Sequence, residues 1–306
     1  MSAPGTPGAR VALVTGASSG IGRAAALALR QRGLTVFAAA RRDMADLANQ
    51  GVRTLTMDVT SDESLTAGLD ALLAATGGRL DVLVNNAGYG QYGSIEETPL
   101  ADARRQFEVN VFGAMRLTQL ALPHLMAGAT PRRPGEASRR IINVSSMGGL
   151  FSMALGGWYH ATKYAIEALS DALRQEVRRF GVDVALIEPG LIRTGWPQIA
   201  ADHLRTTSGL GRYSTIAKGF AAALDLAAAG ELGSDPGVIA QTIAHAATTA
   251  RPRTRYRRGF GAIALTSLTQ TLPDRALDAS IGWFLDHLES LLGLIQHQTT
   301  GSTRPA

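Results

Sequence analysis

The chain has 306 residues, 45% of them hydrophobic and 18% charged, a balance that suits one large α/β domain with a buried core and excludes a disordered chain. It has no cysteine, which excludes disulfides, zinc thiolate sites and cysteine nucleophiles. The net charge of +5 is carried almost entirely by arginine, with Lys163 and Lys218 the only lysines, and spread over this length it is too weak a field to argue for nucleic acid.

Residues 1–9 are small and rich in Pro and Gly, with no apolar signal region, and are expected to form a flexible tail. No run of about eighteen apolar residues occurs, so a cytoplasmic protein with no membrane contact is expected. From Arg10 onward, short runs that are nearly all apolar alternate with longer helical patterns. The runs are Val11 to Thr15, Thr35 to Ala40, Arg53 to Asp58, Leu80 to Asn85, Ile141 to Ser145 and Val182 to Glu188. Unbroken apolar strands between helices predict a doubly wound parallel sheet, covered on both faces. Helix starts are expected at Ser61 before Asp62 and Glu63, at Thr98 before Pro99, and at Asp235 before Pro236.

The first strand ends in Thr15-Gly16-Ala17-Ser18-Ser19-Gly20-Ile21-Gly22 and runs into a helical pattern. Glycines there permit a tight turn and close backbone approach, while the helix N-terminus offers amides to a pyrophosphate. Ala40-Arg41-Arg42 ends the second strand, where an NAD site places a carboxylate for the ribose hydroxyls. Two guanidiniums there either end the strand in solvent or meet a 2′-phosphate, which favours NADP(H) and leaves NAD(H) as the alternative. Asp58-Val59 closes the third strand, its carboxylate an acceptor for an adenine amino group or a helix cap. Asn85-Asn86-Ala87-Gly88 closes the fourth, where small residues let a flat ring lie against the backbone.

Residues 127–140 are rich in Pro, Gly and Arg and read as an exposed loop. Tyr159 and Lys163 stand one helical turn apart on one face. A free tyrosine, with a pKa of about 10, is largely inert as a base near neutrality; a cation held close favours its phenolate. His160 lies off that face and is not expected to be catalytic. After Pro189-Gly190, the segment from Leu191 to Ser234 lacks a strand pattern and is expected to fold over a ligand at the strand ends. The arginines around Tyr256 read as an edge strand with its charged face in water. Ile281, Phe284, Leu285, Leu288, Leu291, Leu292 and Ile295 share one helix face, expected to pack against the body or a second subunit.

Thr15 to Gly22, Asn85 to Gly88, Asn110, Ser146, Tyr159, Lys163 and Pro189-Gly190, in that order, resemble the short-chain dehydrogenase/reductase family. The resemblance covers roughly residues 10–195. The stretches from Val36 to Arg42, Asn85 to Tyr89 and Arg253 to Asp278 look most like its hydroxysteroid and retinol dehydrogenase branch. It implies a single Rossmann-type domain over residues 10–298, with a C-terminal substrate lid at about 191–234 and a second tail at 299–306. It implies transfer of hydride between a nicotinamide and a hydrophobic ketone, aldehyde or secondary alcohol, with Tyr159 as general acid/base. Lys163 would hold the ribose hydroxyls and depress the Tyr159 pKa. Ser146, rather than its neighbour Ser145, would bond the substrate oxygen, and Asn110 would hold a water linking Lys163 to solvent. The cofactor would lie on Gly16, Ser18, Ser19, Gly20, Ile21, Gly22, Arg41, Arg42, Asp58, Val59, Asn86, Ala87, Gly88, Pro189, Gly190, Ile192 and Thr194, with Tyr159 and Lys163 at its ribose. Tyr89, Gln91, Met147, Leu150, Met153 and Trp196 are candidate pocket walls of apolar character. A homodimer or homotetramer is the implied assembly. A nucleotide-binding regulator or scaffold without turnover is the competing reading.

Overall fold

The near-unbroken apolar runs become strands because side chains alternate across a strand, so a run with no polar gaps needs cover on both faces. A computed structural model describes residues 9–127 and 137–288. It contains β1 (Val11–Thr15), β2 (Thr35–Ala40), β3 (Arg53–Thr56), β4 (Val82–Asn85), β5 (Arg139–Val144), β6 (Val182–Pro189) and β7 (Arg255–Arg258). They form one parallel sheet in the order β3-β2-β1-β4-β5-β6-β7. The helices are α1 (Gly20–Gln31), α2 (Ala45–Asn49), α3 (Asp62–Thr76), α4 (Leu100–Phe107), α5 (Gly113–Ala127), α6 (Gly157–Val177), α7 (Trp196–Ser208), α8 (Ser214–Ala228), α9 (Pro236–Thr248), α10 (Ala262–Thr271) and α11 (Asp274–Asp286).

Strand β1 makes the two-sided core explicit. Ala12 and Val14 enter one cluster with Ala25, Ala26 and Leu29 of α1 and Ile239 and Ile243 of α9. Val11 and Leu13 enter the other, with Leu69 of α3, Leu117 and Leu125 of α5, and Leu173 of α6. Strand order reverses between β1 and β4, which opens a crevice at their carboxyl ends. Arginines tie the layers together: Arg140, fully buried, donates to the carbonyls of Ala246 and Thr249, and Arg10 to that of Ala247 at 2.6 Å. These two cations sit where the last carbonyls of α9 lack intrahelical donors.

Two of the three expected helix starts match. Ser61 accepts from the Ser64 amide, and Asp235 from the Gly237 amide at 2.7 Å. At the third, α4 begins one residue later, with Pro99 at the cap position; the Thr98 hydroxyl donates to the Ser94 carbonyl instead. Strand β3 ends at Thr56, so Asp58 and Val59 lie beyond it.

The segment after β6 folds as the helical pair α7 and α8, and its two ends meet. Ile192 bridges to Ser234, the Arg193 amide donates to the Ser234 carbonyl, and the Ser234 amide donates to the Leu191 carbonyl. Leu288, beyond α11, packs on Leu226 of α8, so the expected apolar face meets the body at that point. Leu291, Leu292, Ile295, the tails 1–8 and 299–306, and residues 128–136 of the expected loop lie outside the described residues. Among the described residues no helix is long and apolar enough to cross a membrane.

The edge strand β7 departs from expectation. Its Arg255 and Arg257 face carboxylates rather than water: Arg255 contacts Glu167, Asp171 and Glu188, and Arg257 contacts Glu188. Glu188 is fully buried, and a buried carboxylate needs such partners. Arg251, Arg253 and Arg258 are exposed, as expected.

Candidate active site

The glycine-rich turn and the asparagine motif are built as one unit. The Thr15 hydroxyl accepts from the amides of Asn86 and Ala87 at 3.0 and 3.1 Å, and Asn86 Nδ2 donates to the Thr15 carbonyl at 3.0 Å. Gly16 and Gly20 have φ of +64° and +54°, a region costly for residues with a Cβ. A Cβ at Gly22 would lie 2.4 Å from both Asn86 Nδ2 and the Gly16 carbonyl oxygen. Ser19 caps α1 without a side-chain bond, which leaves the first-turn amides, beside Ser18, Gly20 and Ile21, without a capping side chain.

Arg41 and Arg42 are exposed at the end of β2, with Arg41 Nη1 3.8 Å from Asp58 Oδ2. Asp58 Oδ1 accepts from the Thr60 amide and hydroxyl, which makes it the acceptor of its own turn before α3. Val59 lies against the start of α5, where its carbonyl oxygen would be 2.3 Å from a Cβ at Gly113. Thr194 crosses over the turn: a Cβ at Gly20 would meet its methyl group at 3.2 Å. Pro189 ends β6, and Gly190 has no room for a side chain, Phe260 O lying 2.0 Å from its Cβ position. The Ile192 side chain is buried in the core beside α9, and its backbone bridges to Ser234.

Asn110, Ser146, Tyr159 and Lys163 converge from three places. Ser146 follows β5 with extended backbone; its hydroxyl accepts from the Gly148 amide at 3.0 Å and shares a hydrogen bond with Tyr159. His160 bonds the Gly148 carbonyl at 2.8 Å through Nδ1, holding that turn from behind, in keeping with a non-catalytic role. Tyr159 and Lys163 project from α6, with Lys163 Nζ 5.8 Å from the Tyr159 ring centre and 3.0 Å from the Val144 carbonyl oxygen. Asn110 sits in a π-helical turn, Glu108–Phe112, between α4 and α5. Such a turn is a recurrent distortion at functional sites. Its amide donates to the Tyr89 carbonyl and Thr162 hydroxyl, and its Oδ1 accepts from the Tyr89 amide. A Cβ at Gly88 would lie 3.1 Å from Asn110 Oδ1 and 3.8 Å from Lys163 Nζ, so glycine leaves open the space these groups face.

Burial dominates the titration of the pair. It pushes the Tyr159 phenol up to about 12, against the opposing pull of its Ser146 bond, and brings the Lys163 ammonium down to about 8, against the attraction of Glu167. For Tyr159, desolvation of the phenolate is the largest effect and runs opposite to the depression expected from Lys163, whose Nζ stands over the ring.

An aromatic roof covers the site. Tyr159 lies 5.2 Å from Trp196 at the head of α7 and 5.5 Å from Tyr92; Tyr92 meets Trp196 at 5.7 Å and Phe220 of α8 at 5.6 Å. These rings share a cluster with Leu155, Ala201 and Leu204. Leu155 holds φ of 64°, an uncommon conformation for leucine, just before α6. Of the expected walls, Trp196 packs on Tyr159 and Gln91 is buried next to Tyr92 in the chain, while Tyr89 leans toward His203 at 6.3 Å. Met147, Leu150 and Met153 are half-buried in the loop between β5 and α6. Sequence reasoning placed Thr15 in the glycine-rich motif without its part in the clamp on Asn86 and Ala87, and missed Tyr92 and Phe220, which belong to no local motif and become visible only through tertiary contact.

The short chain dehydrogenase family model matches residues 10–203, and the chain belongs to that family. Within it, the chain falls in the branch that includes hydroxysteroid and retinol dehydrogenases. It is 35% identical over 268 residues to the uncharacterized oxidoreductase YbbO of Escherichia coli strain K12, covering 87% of this chain and 91% of that relative. It is 33% identical over 294 residues to 17-beta-hydroxysteroid dehydrogenase type 6 of Bos taurus, covering 87% of each. A short-chain dehydrogenase structure from Streptomyces avermitilis superposes with a TM-score of 0.72 at 32% identity, covering 94% of this chain and 99% of that one. The protein is accordingly an oxidoreductase acting on CH–OH groups with a nicotinamide dinucleotide, NAD(P) by family.

Proposed function

We propose that the protein is an NADP(H)-linked carbonyl reductase or alcohol dehydrogenase for apolar ketones, aldehydes or secondary alcohols, with Tyr159 as general acid/base. The observation that carries this reading is the convergence of Ser146, Tyr159 and Lys163 beneath an aromatic roof, at the end of a continuous cradle from Gly16 to Gly88. The chain's residues fit the dinucleotide. The unpaired amides at the head of α1 suit a pyrophosphate, the exposed Arg41 and Arg42 suit a 2′-phosphate, and the space at Gly88 suits a flat ring beside Lys163.

When bound, the nicotinamide supplies or accepts the hydride. Ser146 Oγ would donate to the substrate oxygen as charge grows on it, and Tyr159 Oη would pass its proton to the same atom. With its phenol pushed up to about 12, Tyr159 holds that proton at neutral pH, which suits reduction; oxidation needs the phenolate and is expected to rise with alkalinity. Lys163 would hold the ribose hydroxyls and keep positive charge near the phenol, and Asn110 would hold the water that joins Lys163 to solvent. Residues 10–298 are read as one domain in which 191–234 closes over the substrate. A homodimer or homotetramer in the cytoplasm is the expected state, and Phe112 before α5 and Tyr164 and Leu169 on α6 are exposed apolar residues available to it.

Titration with NADPH and NADH, followed by turnover of a panel of apolar ketones, tests the reading. Tighter NADPH binding, lost by about tenfold or more in an Arg41→Ala/Arg42→Ala variant while NADH binding holds, is the expected result. Equal affinity for the two dinucleotides would overturn the arginine assignment. Tight binding without turnover of any carbonyl or alcohol would favour a regulator.

A further inference from the structure

The turn that carries Ser146 rests on a buried imidazole to which proton transfer gives no part. Met147–Gly149 form one short 3₁₀ turn after β5, closed by bonds from the Gly149 amide to the Ser146 carbonyl and from the Leu150 amide to the Met147 carbonyl, each at 3.0 Å. Within that turn Gly148 is held on both sides. Its amide donates to Ser146 Oγ at 3.0 Å, and its carbonyl takes a hydrogen bond from His160 Nδ1 at 2.8 Å. His160 follows Tyr159 on α6 and is 3% exposed. Its ring packs against Phe151 at 5.6 Å and edge-on to Tyr159 at 5.9 Å, and a Cβ at Gly156 would lie 2.7 Å from its Cδ2. The imidazole is thus caged with Nδ1 aimed at the turn.

A carbonyl oxygen only accepts, so the bond to Gly148 requires the proton on Nδ1. Glycine has no side chain to restrict its backbone, so pinning the Gly148 carbonyl is what fixes the direction of its amide. The fit leaves little slack: a Cβ at Gly148 would lie 3.0 Å from His160 Nδ1 and 3.4 Å from Tyr159 Cε1. The Ser146 hydroxyl has one proton to give and two lone pairs to offer. The Gly148 amide takes one lone pair, which restricts where the proton can point. His160 fixes the carbonyl of Gly148, Gly148 fixes the hydroxyl of Ser146, and the chain of two bonds ends at the atom that meets the substrate.

We propose that His160 is a positioning residue that orients the Ser146 hydroxyl through Gly148. The proposal rests on the reading of Ser146 as the donor to the substrate oxygen. Without Nδ1 the buried Gly148 carbonyl loses that donor, the turn relaxes, and the hydroxyl samples other directions. The loss then falls on the step in which charge grows on the substrate oxygen, so kcat drops while the KM for NADPH holds.

Two readouts separate the hold on the turn from its use in turnover. The first is hydrogen exchange of the Gly148 amide, followed by nitrogen-15 NMR with no dinucleotide present. Exchange is expected to quicken by about tenfold in His160→Leu and to return close to the wild-type rate in His160→Asn, whose amide nitrogen falls where Nδ1 lies, with the amides of β5 unchanged in both. An unmoved Gly148 amide in a folded His160→Leu protein overturns the proposal. Should that variant not fold, histidine-labelled wild type carries the test: His160 must be the Nδ1–H tautomer, and the Nε2–H tautomer overturns the link. The second readout is turnover of an apolar ketone with NADPH. His160→Leu is expected to lower kcat by about tenfold in the wild type, and by less than about twofold in a Ser146→Ala background, where there is no hydroxyl left to orient. The same loss in both backgrounds overturns the proposal. If the Gly148 amide responds and Ser146→Ala turns over as fast as the wild type, the hold of His160 on the turn stands and the reading of Ser146 fails.

Discussion

The two halves of the site are made of different material. The cradle at β1, β2 and β4 is mostly backbone: glycines and helix-end amides set by neighbours in sequence, with the Thr15 and Asn86 side chains clamping the ends of two strands that pair. The roof is side chain: Tyr92, Trp196 and Phe220, drawn from three separate stretches onto Tyr159. A backbone cradle recognises what every member of the family shares, whereas a side-chain roof can change residue by residue without disturbing it. The first should therefore break when volume is added, the second when volume is removed.

The strongest blow to the comparison falls where the halves meet. Tyr159→Phe keeps the ring in the roof and deletes the proton, so kcat should drop by about 10³-fold or more while NADPH affinity, measured by fluorescence titration, changes little. A matching collapse of binding would mean that the phenol belongs to the cradle rather than to the chemistry. Next comes Gly22→Ala, whose methyl must displace Asn86 or the Gly16 carbonyl. Dinucleotide affinity should fall tenfold or more and stability by ~1–3 kcal/mol, read by calorimetry and denaturant melts.

Trp196→Ala opens the roof. Its expected signature is a rise in KM for bulky apolar substrates of about tenfold, with kcat less affected and NADPH binding intact in steady-state kinetics. An equal loss for small and large substrates would argue that the roof only excludes water.

The smallest effect concerns stability and pH. Burial pushes Glu167 up to about 7, so the neutral carboxyl is the form that folding favours. With a folded value above the unfolded one, its contribution is complete below the unfolded pKa and is lost as pH rises through about 7. Melting of Glu167→Gln should accordingly gain on the wild type by a few degrees between acid and mildly alkaline buffer.

Much of the cradle was legible in the sequence because its determinants are short-range. The unbroken apolar runs gave the sheet, Ser61 and Asp235 gave helix starts, and the glycine spacing gave the turn. What escaped has partners distant in the chain. The pairing of Arg255 with Glu167 and Glu188 looks, in sequence, like a basic strand bound for water. Tyr92 follows the asparagine motif with no periodicity to mark it. The expected lowering of the Tyr159 pKa rested on the charge one helical turn away, whereas burial beneath Trp196 and Tyr92 pushes it up. Even Thr98 misled, because its hydroxyl had a nearer carbonyl to serve.

One further consequence lies in the way the segment 191–234 leaves and rejoins the sheet. Ile192 bridges directly to Ser234, so the excursion enters and exits through a single doorway, while between its ends it is moored to the body: the Ser208 hydroxyl accepts from the Ser94 amide at 2.9 Å, the Tyr213 hydroxyl donates to Glu96, and Trp196 and Phe220 pack on Tyr92. A segment of different length or sequence spliced at these two positions would therefore leave strand register untouched but would have to bring its own partners for Tyr92, Ser94 and Leu288, so substrate range in this scaffold can drift only together with the residues that meet the excursion from below.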